Sequence, residues 1–159
     1  MKRFREAEVT HGRVAMMASV GYLVGESFHP LFGGEISGPA NTHLGQVQDV
    51  SPQFFSTLAF AIGISEAYRA LVGWESPEKG MANAPEDNAF SFGGLLRDDY
   101  YPGDIGFDPL GLKPTDAEEF AKMQTKELQH GRLAMLAAAG MCVQEQINHQ
   151  TIFGTIFGN

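Results

Sequence analysis

Glu8-Val-Thr-His-Gly-Arg-Val-Ala-Met-Met-Ala-Ser-Val-Gly-Tyr-Leu-Val-Gly-Glu26 and Glu127-Leu-Gln-His-Gly-Arg-Leu-Ala-Met-Leu-Ala-Ala-Ala-Gly-Met-Cys-Val-Gln-Glu145 are two copies of one nineteen-residue stretch, 119 positions apart. They agree at 10 of 19 places: Glu8, His11, Gly12, Arg13, Ala15, Met16, Ala18, Gly21, Val24 and Glu26 have identical counterparts. Each copy sets a charged Glu-x-x-His-x-Arg triplet at the head of an apolar run. Charge at the mouth of an apolar helix is unfavourable unless it is paired or holds a ligand. The repetition therefore points to two equivalent sites.

Helical geometry restricts how those charges can pair. At about 100° per residue, Glu8 and His11 lie about 60° apart on one face, and Arg13 lies about 140° from Glu8. Arg13 is poorly placed for the glutamate of its own helix but can reach Glu127 on a second helix crossing the first. By the same geometry Arg132 meets Glu8. Such reciprocal pairs neutralise four charges and leave each carboxylate one oxygen for a metal. Solvated first-turn charges would leave the matching Gly-Arg-x-Ala-Met continuation unexplained. Ferritin-like di-iron bundles also use Glu-x-x-His helices, with two further glutamates. Here a fourth ligand-bearing helix is absent, and the arginines would compete for the carboxylates.

Working outward, the 159 residues suit one compact unit, with helices expected at about 6–26, 52–73 and 117–146. The mean hydropathy of −0.14 conceals a segregation: 14–25, 54–64 and 133–143 are nearly free of charge, whereas 75–119 is acidic and rich in Gly and Pro. All 11 Lys and Arg fall in Lys2–Arg13, Arg69–Lys126 and Arg132, with none in 14–68 or 133–159. Three spans obeying the positive-inside rule give this asymmetry, with the N-terminus and 74–116 on one side and 27–51 and the C-terminal tail on the other. The expected fold is thus an all-α membrane protein of three transmembrane helices, the first and third crossed and related by a pseudo-two-fold axis.

Ala18, Gly21 and Gly25, repeated in part by Ala137 and Gly140, form a small-residue strip suited to close helix crossing. Residues 27–51 carry Gly33-Gly34, Gly38-Pro39 and Pro52 just beyond, and are expected to have little regular structure. Trp74 ends the middle helix, where an interfacial aromatic belongs. The segment 75–116 reads as a long extended loop, and Asp116 with Glu118 and Glu119 as a capped helix start. The apolar tail 152–158 is expected to lie along a surface. Glu66 and Arg69, at i and i+3, can pair within one helix and again leave a carboxylate oxygen.

The net charge of −8 argues against nucleic acid as a partner, and the single Cys142 excludes an internal disulfide. With no signal or transit segment visible, Met1 is expected to mark a processed or trimmed start. No nucleophile–base pair, phosphate loop or electron-transfer ligand set stands out, so the chain does not read as an enzyme.

The doubled Glu-x-x-His-Gly-Arg-x-Ala-Met, with Gly106-Phe-Asp-Pro-Leu-Gly111 before the third helix, resembles the light-harvesting chlorophyll-binding superfamily over nearly the whole chain. The His-Gly-Arg form in both helices and the loop Arg97-Asp-Asp-Tyr-Tyr-Pro-Gly-Asp-Ile-Gly-Phe-Asp-Pro-Leu-Gly-Leu112 look most like the red-lineage algal branch, which includes the fucoxanthin chlorophyll a/c proteins. The resemblance implies a plastid thylakoid antenna carrying chlorophyll a, chlorophyll c and fucoxanthin-type or related xanthophylls. Its implied partners are a photosystem core, photosystem I being the expected one, neighbouring antenna subunits and thylakoid lipids. A photoprotective quencher on the same scaffold is the alternative.

The magnesium of chlorophyll accepts one axial ligand from a neutral His or Gln, or from a Glu neutralised by Arg. The resemblance assigns Glu8 and Glu127 as ligands with partners Arg132 and Arg13, then His11 and His130 one turn on, Glu66 with Arg69, and Gln144. Phe107, Asp108, Pro109 and Leu110 match the loop that holds one end of a central carotenoid. Where green members place a further glutamine, this chain has Leu58, so a chlorophyll there would need Gln53 or water. The family's loop before helix one, with its own carotenoid contact, has no counterpart here. His29 and His149 are candidate additional ligands.

Overall fold

In the computed structural model the described residues are 1–28, 30–76, 78–79 and 96–158. Helix α1 is Lys2–Ser27, α2 Ala40–Val50, α3 Gln53–Gly73, α4 Ala117–Asn148 and α5 Ile152–Phe157, with a 3-10 turn at Leu31–Gly34. The three expected helices are present within a few residues of their expected ends. Asp116 caps α4 as its sequence implies, accepting from the backbone N–H of Glu118 and Glu119 at 3.1 Å each. At about 1.5 Å per residue, α1, α3 and α4 are roughly 39, 31 and 48 Å long. Among the described residues only α3 is also apolar enough throughout to cross a membrane by composition.

Helices α1 and α4 form the centre of the molecule. Their closest approach is backbone to backbone: a Cβ on Gly12 would lie 2.9 Å from the Cα of Gly131, and the converse distance is also 2.9 Å. Ala15 and Ala134 are buried one turn further on, and the Ser19 hydroxyl donates to the carbonyls of Ala15 (2.9 Å) and Ala134 (3.3 Å). This corrects the expected contact strip. A Cβ on Gly21 or Gly140 would meet no neighbour, and Gly25 lies beside His43 instead of α4. The close contact is therefore at Gly12 and Gly131, and not at Gly21, Gly25 or Gly140.

The segment 27–51 is also more ordered than expected. Its glycines do make turns, with φ of +79° at Gly34 and +94° at Gly38, but Pro39 and Pro52 bracket a helix instead of a loop. Proline suits a helix start because the missing N–H is one that has no intrahelical partner. Helix α2 is fixed to the central pair by Asn41, whose backbone N–H donates to Glu145 Oε2 (2.8 Å) and whose side chain donates to the Cys142 carbonyl (3.1 Å) and accepts from Tyr22 (2.6 Å). In turn Glu26 accepts from the Ile152 backbone N–H through both oxygens at 2.8 Å, holding the start of α5. Each of these matched glutamates thus holds the short helix that follows the other copy of the repeat. The apolar tail forms α5, stacked through Phe153 and Phe157.

Helix α3 stands apart. Of its 21 residues only Gly73 is buried, and Phe60, Ile62 and Ile64 remain more than half exposed. At its start Phe54 packs edge-on against Phe32. At its end the Gly73 carbonyl accepts from the Arg97 N–H, Trp74 lies under the Arg3 guanidinium at 5.9 Å, and a Cβ on Gly73 would lie 3.0–3.3 Å from the Tyr100 ring.

Candidate functional site

The repeated triplets meet across the α1–α4 contact. Arg13 Nε donates to Glu127 Oε1 at 2.8 Å, and Arg132 Nε donates to Glu8 Oε1 at 2.6 Å. Both reciprocal pairs inferred from helical angles are therefore present. The second oxygen of Glu127 makes no hydrogen bond among the described residues, and that of Glu8 has only Arg5 at 3.7 Å. Each glutamate is thus neutralised through one oxygen with the other available.

His11 and His130 share a second geometry. The Nδ1 of His11 is 2.7 Å from the Ala7 carbonyl, and that of His130 is 2.7 Å from the Lys126 carbonyl. A carbonyl can only accept, so Nδ1 is the donor in both, and Nε2 of each exposed side chain makes no hydrogen bond among the described residues. A proton held on one nitrogen by the backbone is the arrangement that readies the other for a metal.

The third charged cluster is larger than the sequence implied. Arg69 donates to Glu66 Oε2 through Nε (3.0 Å) and Nη2 (2.6 Å), as expected. Its Nη1 also donates to Glu6 Oε1 and to the Thr10 hydroxyl, both at 3.0 Å. Glu6 is 3 % exposed, and its Oε2 accepts from the Tyr100 hydroxyl (3.0 Å) and the Gly103 N–H (2.7 Å). Burial, reinforced by that hydrogen bond to Glu6, raises the Tyr100 phenol above its ordinary pKa. Gly103 has φ +85°, and a Cβ there would lie 2.8 Å from Val9, so only glycine fits. Glu6 has no counterpart in the second copy, where Thr125 stands, which is why the repeat did not reveal it.

Between these clusters lies a cavity of about 780 Å³, walled by Arg13 and Met17 of α1, Ser65 of α3, Phe120 and Glu127 of α4, and the loop at 101–113. Phe107 and Asp108 belong to that wall, while Pro109 and Leu110 do not. Phe107 and Leu110 are each 78 % exposed and present apolar surface. The Asp108 carboxylate accepts from the N–H groups of Lys113 (2.9 Å) and Leu112 (3.0 Å), which holds it below the usual carboxylate range. It organises the turn. Gly106 and Gly111 have φ of +75° and +63° with open space around them, so their glycine is required by backbone conformation and not by a close protein neighbour. Asp104, bonded to Lys113 Nζ at 2.6 Å, is likewise held below its ordinary pKa by that lysine.

Of the remaining candidates, Gln144 is half-buried near the far end of α4, and its amide makes no hydrogen bond among the described residues. His149 ends α4 in the left-handed conformation with φ 53° and is exposed. Gln53 and Leu58 lie exposed on α3. His29 lies outside the described residues.

Single nitrogen and oxygen atoms of this kind, on side chains tied to an arginine or to a backbone carbonyl, are able to serve as axial ligands to a metal. The family model of chlorophyll a-b binding proteins matches residues 1–146. This chain belongs to the chlorophyll a-b binding family. It is 48 % identical over 158 residues to light-harvesting complex stress-related protein 3.2 of Chlamydomonas reinhardtii, covering 96 % of this chain and 56 % of that protein. It is 47 % identical over 159 residues to a fucoxanthin-chlorophyll a-c binding protein of Isochrysis galbana, with 99 % and 69 % covered. Similarity extends to chlorophyll a-b binding protein CP29 of Chlamydomonas reinhardtii, at 29 % identity over 98 % of this chain and 49 % of that protein. The chain thus spans little more than half the length of the stress-related relatives. The chlorophyll a-b binding family is one of pigment-binding light-harvesting proteins and not of enzymes, in agreement with the sequence reading.

Proposed function

We propose that this chain is a photosynthetic antenna subunit, integral to the plastid thylakoid membrane, that binds chlorophylls a and c with xanthophylls and passes excitation to a photosystem, photosystem I being the expected one. The observation that carries the reading is the preparation of single coordinating atoms: Nε2 of His11 and His130, and one oxygen each of Glu8, Glu127 and Glu66. Gln144 completes the set, with His29 and His149 as further candidates. Chlorophyll, when bound, supplies the absorption and transfer of excitation. The chain fixes where each pigment sits. The Glu–Arg pairs keep charge balanced at apolar surfaces, the carbonyls of Ala7 and Lys126 select the His tautomer, and Phe107 with the adjoining cavity offers a wall for a xanthophyll end group.

The same reading makes α1, α3 and α4 three spans with the basic N-terminus stromal and α5 lumenal. Support comes from the lysine and arginine distribution, from the three helix lengths and from the uncovered apolar surface of α3. Helices α1 and α4 are then related by a pseudo-two-fold axis through the Gly12–Gly131 contact. Photosystem core, neighbouring antenna subunits and thylakoid lipids are the proposed partners covering the outer apolar faces.

His130→Phe tests the ligand assignment. Reconstituted with pigments, the variant should lose about one chlorophyll and keep its helical content, because the Glu–Arg pairs still join α1 to α4. Unchanged pigment stoichiometry would refute it. A second reading, a photoprotective quencher on the same scaffold, is favoured by the likeness to the stress-related proteins. The fluorescence lifetime of the pigmented complex separates the two: an antenna in its harvesting state is long-lived, a quencher short-lived.

A further inference from the structure

Helix α3 carries the candidate ligand Glu66, yet its apolar flank touches almost no protein. Among the described residues its only side-chain hydrogen bonds to another helix run from Arg69 to Glu6 and Thr10 of α1. Glu6 sits at the centre of that link. Oε1 takes Arg69, while Oε2 takes the Tyr100 hydroxyl and the Gly103 N–H. Three donors from two segments, 63 to 97 residues from Glu6 in sequence, thus converge on one buried carboxylate. Thr10, which shares Arg69 Nη1, also donates to the Glu6 backbone carbonyl at 2.7 Å.

We infer that Glu6 is the positioning residue for the Glu66 pigment site. The inference rests on the proposed ligand role of Glu66 and adds a residue that role does not contain. The guanidinium is planar, so fixing Nη1 on Glu6 fixes the plane from which Nε and Nη2 reach Glu66. Both of those donors converge on Oε2, which leaves Glu66 Oε1 free and aimed by the same plane. Glu6 therefore sets the ligand's orientation and the distance of α3 from α1 together. A carboxylate is required for this. A glutamine at position 6 has one acceptor oxygen and one NH₂ group, so it faces either Arg69 or the Gly103 N–H donor to donor. Tyr100→Phe removes one donor and leaves the ion pair, giving a milder disturbance of the same link.

The test uses the full chain reconstituted with chlorophylls and carotenoids, read by pigment stoichiometry and by difference absorption and circular dichroism. Glu66→Leu first defines the band of the pigment it holds. Glu6→Gln is then expected to lose or shift that same band while the bands removed by His11→Phe and His130→Phe stay in place. A general destabilisation would weaken all bands together. Should Glu6→Gln fail to assemble, Tyr100→Phe is expected to shift the Glu66 band alone, by less than its complete loss. If Glu66→Leu removes a band that Glu6→Gln, or Tyr100→Phe in its stead, leaves untouched, the positioning role is overturned and the ligand reading stands. If Glu66→Leu removes no band, the ligand reading falls and the positioning role falls with it.

Discussion

The contact between α1 and α4 and the flank of α3 are built on opposite plans. The first is protein against protein: two glycines meet backbone to backbone, alanines pack behind them, and two ion pairs close over the junction. The second is apolar along its length yet almost bare of protein neighbours, held near one end by a buried polar cluster and at the other by a short link to α2. The difference teaches that the chain joins α1 to α4 with its own residues while α3 keeps an exposed apolar surface. In lipid there is no hydrophobic drive between helices, so close glycine contact and paired polar groups are what join them.

The comparison is most severely tested at its tightest point. Gly12→Leu places a side chain where even a Cβ would stand 2.9 Å from the Gly131 backbone, which cannot yield as a flexible side chain could. Overpacking of this kind costs about 3 kcal/mol or more, and no pigmented complex should be recovered on reconstitution. Gly21→Leu, on the same helix but facing open space, should still give a folded complex. Equal outcomes would mean that the glycine contact does not organise the scaffold.

Next in size is Arg13→Leu. It strands the Glu127 carboxylate, at a cost of roughly 3–5 kcal/mol if the pair is sealed from water, but about 0–1 kcal/mol if water reaches it. The protein alone leaves Arg13 41 % and Glu127 35 % exposed, so the size of the loss reports whether pigment and lipid cover this face. The expected result is failed assembly or loss of the pigment at Glu127, seen as lower chlorophyll content per polypeptide.

The smallest effect belongs to α3. Gly73→Ala brings a methyl within 3.0–3.3 Å of the Tyr100 ring, which can tilt away by a few tenths of an ångström. A penalty of about 1 kcal/mol should lower the thermal midpoint of the complex by a few degrees. Stoichiometry should be unchanged and the circular dichroism altered only near the Glu66 site. A loss as large as that of Gly12→Leu would show that both regions depend equally on protein packing.

Much of the site was legible because helical angle and repetition are local properties. The offset of Arg13 from Glu8, about 140°, disfavours the intrahelical pair, and the second copy supplies the matching partner, so both ion pairs follow from the sequence. The Asp116 cap was legible for the same reason. Glu6 was not: within Lys2-Arg-Phe-Arg-Glu-Ala7 it resembles an ordinary first-turn charge, and its burial depends on Tyr100 and Gly103 arriving from the far loop. Helix α2 was hidden by the glycines and prolines that flank it. Those residues mark chain reversals, and they say nothing of whether eleven residues between two reversals will find partners such as Glu145.

By itself, then, the sequence determined the three long helices and the reciprocal pairing of Glu8 with Arg132 and of Glu127 with Arg13. These follow from periodicity, charge and a repeated motif. Only the tertiary structure decided that the helices touch at Gly12 and Gly131 and not at Gly21 and Gly25, and that Glu26 and Glu145 hold each other's following helices. It alone decided that Arg69 divides between Glu66 and Glu6. Such choices are made by where two helices meet and which distant loop fills the space left, and a burial that depends on distant segments leaves no periodic trace in the residues around it.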